Sequence, residues 1–269
     1  GGGTGIGRAC AAALAADGAT VVVCGRTAER LEASVEGIRP GHGGSVHAVV
    51  ADVTAEDDVR RAVLATVEAA GGLRGVVANA GGGGSLAPHH LQDLEAYEAV
   101  LRVNVVGTML CVKHAVPAMV DAGGGSFVGM SSLAGHVTHP HFGAYPAAKA
   151  AIEQMMRNAA DEYGASGVRF NAVRPGFIAT EVMEAIPRDS DVYDSYVRNT
   201  PLAPTVDGGV GAPSDVAALV RFLVGPESRW ITGTSIAVDG GQALRSGPDF
   251  STFLVGLGDD VLGGRLPEV

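Results

Sequence analysis

The chain has 269 residues, and 46% of them are hydrophobic, which is enough for a buried core in one large domain or two small ones. A formal net charge of −10, without any lysine- or arginine-rich run, argues against binding to nucleic acid or to anionic membranes, since both need a basic face. Three cysteines in Ala/Val-rich surroundings, no leader-like segment and no apolar run near the roughly 20 residues that cross a bilayer predict a soluble, cytoplasmic protein with neither a disulfide framework nor a cysteine metal site.

The chain opens on a glycine-rich segment, GGGTGIG, followed by a helical pattern and the Val-rich run ATVVVCG. Gly1, Gly5 and Gly7 would allow a tight turn whose backbone N–H groups approach a pyrophosphate, which the helix N-terminus stabilises. Glycine clusters also form ordinary loops, but the helix and strand that follow favour dinucleotide binding. Because such a site needs a preceding strand, we expect the natural chain to carry one, on the order of ten residues or more, before Gly1.

The end of the first Val-rich run indicates which dinucleotide is bound. About twenty residues after the glycines, an NAD site offers an acidic side chain to the ribose, whereas an NADP site offers an arginine to the 2′-phosphate. Here Gly25 is followed by Arg26 and Thr27, without an acidic residue. A planar guanidinium fits a phosphate well, so we predict NADP(H), with NAD(H) as the alternative and a solvated surface arginine as the other interpretation of Arg26.

Six apolar, β-branched runs alternate with helical patterns along the chain. Continuous apolar runs are typical of strands covered on both faces, and hence of a mainly parallel sheet. The sequence therefore predicts one α/β domain over residues 1–269, a doubly wound Rossmann fold. Thr54, with Asp57 three residues later, predicts the start of the third helix. Strands are predicted at 19–25, 45–51, 74–81, 125–132, 168–176 and 234–241, and helices at 8–17, 27–38, 55–70, about 93–120 and 144–163.

A tyrosine and a lysine four residues apart open the last of these helices, in the segment GAYPAAKAAIEQ. An isolated pair of this kind is more often a core aromatic residue beside a surface lysine. On one helix face, however, the ammonium of Lys149 would favour the phenolate of Tyr145, whose free pKa is about 10, and would make it an acid/base group near neutrality. Pro146 is tolerated because it lies in the first helical turn.

Seven short motifs occur in the order in which they occur in the short-chain dehydrogenase/reductase family, which the chain therefore resembles over nearly its whole length. The first motif lacks the threonine that usually precedes it. The resemblance implies a Rossmann-fold enzyme that interconverts a carbonyl and a secondary alcohol by hydride transfer with NAD(P)(H). The motifs are GGGTGIG (1–7), ADV (51–53), NAG (79–81), VNVVG (103–107), SS (131–132), YPAAK (145–149) and RPG (174–176).

The resemblance also implies roles for individual residues. Tyr145 would exchange a proton with the substrate, and Ser132, which stands at the family's usual distance before the tyrosine, would hydrogen-bond the substrate oxygen. Lys149 would hold the nicotinamide ribose, and Asn104 would bind a water that relays protons to Lys149. The cofactor would contact Gly1, Gly5, Ile6, Gly7, Arg26, Thr27, Asp52, Val53, Asn79, Ala80, Gly81, Tyr145, Lys149, Pro175, Gly176, Ile178 and Thr180.

Three histidines precede the tyrosine in GHVTHPHFGAY, but no cysteine or carboxylate completes a ligand set, so we predict no metal site. The family places this loop beside the substrate, which makes His139, His141 and Phe142 candidate substrate contacts. The segment 182–212 mixes an amphipathic stretch with Pro/Gly loops and is predicted to be a substrate lid. The tail 242–269 would contact the active-site mouth or a subunit interface.

The predicted function is NADP(H)-dependent oxidation and reduction of a small-molecule carbonyl or secondary alcohol. Two alternatives within the family are a 3-oxoacyl-carrier-protein reductase and an enoyl-thioester reductase. The first is weakened because Gly123 and Ser166 stand where such reductases carry arginines that dock the acidic carrier. A non-catalytic NAD(P)-sensing protein is the alternative of another class, and the intact catalytic set argues against it. Family members are usually oligomers, so we expect a homotetramer or dimer that packs through the helices near 93–120 and 147–163.

Overall fold

The computed structural model describes residues 1–84, 86–181, 183 and 186–245. Within these residues, parallel strands alternate with helices, as the Val-rich runs predict, in one Rossmann-like α/β domain. The strands are β1 (Thr20–Gly25), β2 (Ser45–Val50), β3 (Gly75–Ala78), β4 (Gly125–Met130), β5 (Val168–Pro175) and β6 (Ser235–Val238). The helices are α1 (Gly5–Ala16), α2 (Ala28–Gly37), α3 (Glu56–Ala70), α4 (Leu94–Leu101), α5 (Gly107–Asp121), α6 (Ala144–Tyr163), α7 (Asp191–Arg198) and α8 (Pro213–Val224).

The start of α3 differs from the prediction. Its N-cap is Ala55, and the Thr54 hydroxyl instead donates to the Asp52 carboxylate, 2.8 Å away. Acidic residues fill the first turn, where they stabilise the positive end of the helix dipole without a side-chain cap. The carboxylate of Asp52 thus competes successfully for the hydroxyl that a capping box would use.

Strands β3, β4, β5 and β6 form one parallel sheet in that order, and α5 and α6 cover one face while α1 and α8 cover the other. At its centre, the fully buried rings of Phe127 on β4 and Phe170 on β5 stack at 5.2 Å. The parallel arrangement is confirmed. The strands fall into two groups, because β1 and β2 pair only with each other in the described part of the chain.

An apolar slot lies between the two groups of strands. It has a cavity volume of 460 Å³ and is lined by β1 residues such as Val21 and Val23, by β3 residues such as Val76, and by the side chains of Cys10, Cys24 and Cys111. In the strand order 3-2-1-4-5-6 of doubly wound folds, the first strand lies between these two groups. The strand expected before Gly1 would occupy this position, and its presence stays a prediction.

The predicted helix at 93–120 is present but contains a π-helical turn, Arg102–Val106, between α4 and α5. Over Leu94–Asp121 this helix is long and apolar enough, by length and composition alone, to cross a membrane. In the structure it packs against α3 and α6, and Val100, Leu110 and Met119 are buried, as in the core helix of an α/β domain.

Candidate active site

The glycine loop sets the entry to α1. Helix α1 begins at Gly5 without a side-chain cap, so its first N–H groups are free to bind an anion. Gly7 must be glycine, because a Cβ atom there would lie 1.9 Å from the Gly1 carbonyl oxygen. Asn79, at the end of β3, donates to the same oxygen at 2.9 Å and fixes the loop to the sheet edge. This cradle of uncapped N–H groups and bare glycine backbone fits the pyrophosphate of a dinucleotide.

The residues after β1 and β2 lie at the same edge. Arg26 and Thr27 are exposed directly after β1. Hydrogen bonds from the backbone and hydroxyl of Thr54 hold the pKa of Asp52 below its usual value, and the nearby charge of Arg26 acts in the same direction. The Asp52 carboxylate is therefore committed to its own loop, whereas Arg26 makes no hydrogen bond or ion pair within the described ranges.

The π-helical turn places Asn104 beside the predicted catalytic residues. Its Nδ2 donates to the carbonyls of Val100 and Gly82, each at 2.9 Å, which orients the amide. Its Oδ1 is buried and has no partner among the residues described. A Cβ atom added at Gly81 would lie 2.5 Å from this Oδ1 and 3.1 Å from Lys149 Nζ, so both groups converge on one glycine. An unpartnered buried acceptor of this kind is a binding position for water.

Helix α6 begins at a left-handed glycine, Gly143, with φ of 57° and ψ of −133°. This conformation strongly favours glycine and sets the direction from which Tyr145 enters the site. Burial raises the pKa of Tyr145, a hydrogen bond with the Ser132 hydroxyl lowers it, and nearby Tyr196 raises it further. Ser132 also accepts from the Ala134 N–H at 3.2 Å, which fixes its rotamer.

Lys149 is buried one helical turn after Tyr145. Its Nζ donates to the Met130 carbonyl at 2.8 Å and lies 5.3 Å from the centre of the Tyr145 ring. Burial lowers the pKa of Lys149 from 10.5 to about 8. The amine is therefore still mostly protonated at neutral pH, which places a positive charge beside the Tyr145 ring.

A buried ion pair supports this side of the helix. Glu153, one turn after Lys149, accepts two hydrogen bonds from Arg174 on β5, with Nε at 2.6 Å. The Ser131 hydroxyl lies 2.9 Å from Glu153 Oε1 and 3.0 Å from the Lys149 carbonyl oxygen. Burial alone would raise the pKa of Glu153, but the bonds from Arg174 and Ser131 outweigh it and hold the pKa below its usual value. The pair joins the helix of Tyr145 to the strand that ends at Pro175.

The segment after β5 returns to the glycine loop. Gly176 donates its N–H to the Val238 carbonyl at 2.9 Å, and the Thr180 side chain would lie 3.3 Å from a Cβ atom on Gly5. Ile178 is buried in the core cluster, so only its backbone is left for a cofactor, and Ile6 packs against the same cluster. The other predicted residues at this edge are Val53, which meets Gly107, and Ala80, which meets Gly1.

A row of aromatic rings leads from Tyr145 towards the predicted lid. Phe142 stacks on Tyr145 at 4.8 Å, and His139 lies 6.3 Å from Phe142 and 6.1 Å from Tyr196 on α7. Tyr196 in turn stacks on Phe177 at 4.2 Å. His141 is exposed, has a φ of 68° and does not join the row. Of the three predicted substrate contacts, the structure therefore brings His139 and Phe142 together and leaves His141 outside.

No cluster of three or more histidine, cysteine or acidic side chains that could hold a metal occurs in residues 1–84, 86–181, 183 and 186–245. Of the predicted lid, Val182, Glu184 and Ala185 lie outside the described residues, and so does 246–269 of the predicted tail. The described start of the tail reaches the lid, because Arg245 donates to the Arg198 carbonyl at 2.9 Å.

Sequence reasoning missed Glu153, Phe177 and Tyr196. Glu153 follows Lys149 at the same helical spacing as Lys149 follows Tyr145, which was an available signal. Two tyrosines three residues apart in DVYDSYVR mark one face of an amphipathic helix, but nothing in the sequence shows that this face meets Phe177.

The chain is similar to known proteins in both sequence and fold. A family model described as enoyl-(acyl carrier protein) reductase matches residues 1–243. The chain is 37% identical over 238 residues to cis-4-hydroxycyclohexanecarboxylate dehydrogenase from Sinomonas cyclohexanicum, covering 88% of this chain and 92% of that protein. It is 37% identical over 244 residues to 2-(S)-hydroxypropyl-CoM dehydrogenase 3 from Xanthobacter autotrophicus, covering 90% and 94%. A solved short-chain type dehydrogenase/reductase from Mycobacterium ulcerans has a TM-score of 0.86 at 43% identity, covering 99% of this chain and 96% of that one.

Proposed function

Because the chain belongs to the short-chain dehydrogenase/reductase family and is an oxidoreductase, we propose that it interconverts a carbonyl and a secondary alcohol with NADP(H). The observation that carries the proposal is the pair of Tyr145 and Ser132 hydroxyls beside the buried amine of Lys149. The names of both relatives describe hydroxylated substrates, which supports the same reaction class. In this proposal the protein is a cytoplasmic homo-oligomer, a tetramer or dimer, that acts on a small molecule.

The proposed mechanism divides the work among four side chains. In reduction, Tyr145 donates its proton to the substrate oxygen, and the Ser132 hydroxyl hydrogen-bonds that oxygen as negative charge develops. The Lys149 ammonium favours the phenolate that Tyr145 leaves behind. A water held by the free Oδ1 of Asn104 returns a proton from the Lys149 side. The nicotinamide, when bound, supplies or accepts the hydride.

Arg26 supports NADP(H) as the preferred cofactor. It follows β1 at the exposed edge, near Asp52, and its guanidinium makes no hydrogen bond with the described part of the protein. A phosphate on the adenine ribose would pair with this cation, whereas NAD(H) would find no acidic side chain at Gly25, Arg26 or Thr27. Gly1, Gly5 and Gly7 would hold the pyrophosphate, and Thr180 would lie near the nicotinamide.

The test measures binding of NADPH and NADH, followed by oxidation of each with a panel of carbonyl compounds. We expect NADPH to be preferred, Arg26→Ala to weaken NADPH binding by about tenfold or more while leaving NADH binding nearly unchanged, and Tyr145→Phe to lower kcat by about a hundredfold or more. A preference for NADH would show the role given to Arg26 to be wrong. Tight binding without turnover of any carbonyl would favour the non-catalytic sensor instead.

A further inference from the structure

Helix α7 carries two tyrosines that pack against the same phenylalanine but differ at their hydroxyls. Tyr193 meets Phe177 edge-on at 5.2 Å, and Tyr196 stacks on it at 4.2 Å with the planes 6° apart. The Tyr193 hydroxyl donates to the Gly208 carbonyl at 2.6 Å. The Tyr196 hydroxyl has no hydrogen-bond partner within the described ranges. The Tyr193 hydroxyl thus anchors helix α7, whereas the Tyr196 hydroxyl is free to donate a hydrogen bond.

The unused donor belongs to the row of aromatic side chains that ends at Tyr145. Tyr196 is half-buried, and its ring is joined to Tyr145 through His139 and Phe142 at centroid distances of 6.1, 6.3 and 4.8 Å. Burial raises the pKa of Tyr196, and Tyr196 is among the groups that raise the pKa of Tyr145, so the two phenols lie within electrostatic range of each other.

The oxygen on the reacting carbon already has hydrogen-bond partners in the proposed function, namely the hydroxyls of Tyr145 and Ser132. A phenol with a packed ring and a free hydroxyl favours a ligand that brings an acceptor, because ligand binding then removes water from the ring without leaving the hydroxyl unpaired. A second oxygen of the same substrate would supply this acceptor for Tyr196. The aromatic side chains around this hydroxyl favour a ring over a flexible chain, because a rigid ring loses less conformational freedom on binding.

We propose that Tyr196 is a specificity-determining residue that donates a hydrogen bond to a second oxygen of the substrate, and that the preferred substrates are carbon rings with two oxygen functions, such as cyclic diketones, hydroxyketones and diols. This inference rests on the proposed carbonyl–alcohol activity and narrows it. Tyr196 transfers neither a proton nor a hydride in the proposed reaction. Its removal therefore changes which substrate is preferred and leaves the type of reaction unchanged.

The test uses four carbonyl probes that separate the ring from the second oxygen: cyclohexanone, a cyclohexanedione, butanone and butanedione. We expect the wild-type kcat/KM to be highest for the cyclic dione. Tyr196→Phe keeps the ring and removes the hydroxyl, and should lower kcat/KM for the cyclic dione by about tenfold or more, mainly through KM, while cyclohexanone changes by less than about threefold.

Tyr193→Phe is the matched control, because it removes the other hydroxyl of the same helix. It should lower the melting temperature by breaking the bond to Gly208 and leave the dione-to-monoketone ratio unchanged, whereas Tyr196→Phe should do the reverse. Equal effects of Tyr196→Phe on both ketones, or no effect on either, would overturn the role of Tyr196. Equal turnover of cyclic and open-chain diones would overturn the preference for rings.

The outcomes also separate this inference from the proposed function. A wild-type enzyme that reduces other carbonyls but neither cyclic probe contradicts the substrate class and leaves the carbonyl–alcohol activity standing. An enzyme that reduces no carbonyl compound contradicts both.

Discussion

Lys149 is an amine enclosed by the protein, with the Met130 carbonyl as its hydrogen-bond partner and the Tyr145 ring beside it. Enclosure disfavours the charged form, so the pKa in the folded protein is about 8, below the ordinary 10.5. Between these two pH values the unfolded chain binds more protons than the folded one. The cost of burying the ammonium is therefore full below pH 8 and disappears as the pH rises towards 10.5.

We therefore expect Lys149→Met to abolish turnover and yet to gain stability relative to the wild type at pH 7. The cost removed is at most about 3 kcal/mol, and the lost bond to Met130 offsets part of it. The advantage of the variant should shrink between pH 8 and 10, as measured by urea unfolding across this range. An advantage that grows with pH would contradict the assignment.

Gly81 lies between Asn104 and Lys149, and a substitution there tests whether their close approach matters for activity. A Cβ atom there would lie 2.5 Å from Asn104 Oδ1, and the amide cannot turn away cheaply because two carbonyls hold its Nδ2. Gly81→Ala should lower kcat by about tenfold or more while the protein stays folded. The control is Gly82→Ala, where a Cβ atom meets nothing within 4 Å. Equal activity of the two variants would show that the approach of Asn104 to Lys149 is unimportant.

At the scale of whole elements, α6 and β5 are joined by the ion pair between Glu153 and Arg174. The Glu153 side chain is 5% exposed and that of Arg174 17%, so removing either partner leaves the other poorly solvated. Glu153→Gln should lower the free energy of unfolding by about 3 kcal/mol or more, as urea unfolding would measure. The folded pKa of Glu153 lies below its ordinary value, so this contribution is present near neutrality and is lost as the pH falls through the folded pKa.

The double variant Glu153→Met with Arg174→Met distinguishes a broken pair from a damaged core. Two apolar side chains leave no buried charge, so the double variant should lose less stability than the two single variants together. Losses that simply add would mean that the two side chains contribute separately and that the pair does not hold helix to strand.

The elements of the fold were largely readable from the sequence, because buried parallel strands are Val-rich and their helices have apolar stripes. Helix α6 was predicted at its observed bounds, and β5 within one residue. The π-helical turn was not predicted; it lies where Asn104 bonds to Gly82, a contact between residues that are distant in sequence. The partners Glu153 and Arg174, and Tyr196 against Phe177, were missed for the same reason: each pair is distant in sequence and meets only through tertiary packing.

At the scale of the whole molecule, strand pairing is the property of the fold that the sequence predicts least well. The Val-rich runs predict strands and their parallel direction, but pairing depends on which edges are adjacent, and among the described residues β1 pairs only with β2. The predicted order of motifs nevertheless places the glycine loop, Asn79 and the segment after β5 at one edge, because parallel strands all end on the same side. The order of the parallel strands therefore predicts the location of the candidate site better than any single motif does.

Burial of the thiols at the slot between the two groups of strands also governs the sulfur chemistry of the protein. All three cysteines line it, and burial raises the pKa of Cys10 to about 12 and that of Cys111 to about 11, with Cys24 shifted in the same direction. Oxidation and alkylation both proceed through the thiolate, which is scarce at neutral pH under these conditions. The folded enzyme should therefore tolerate peroxide and electrophiles, and thiol reactivity would report on unfolding around these cysteines rather than on the state of the active site.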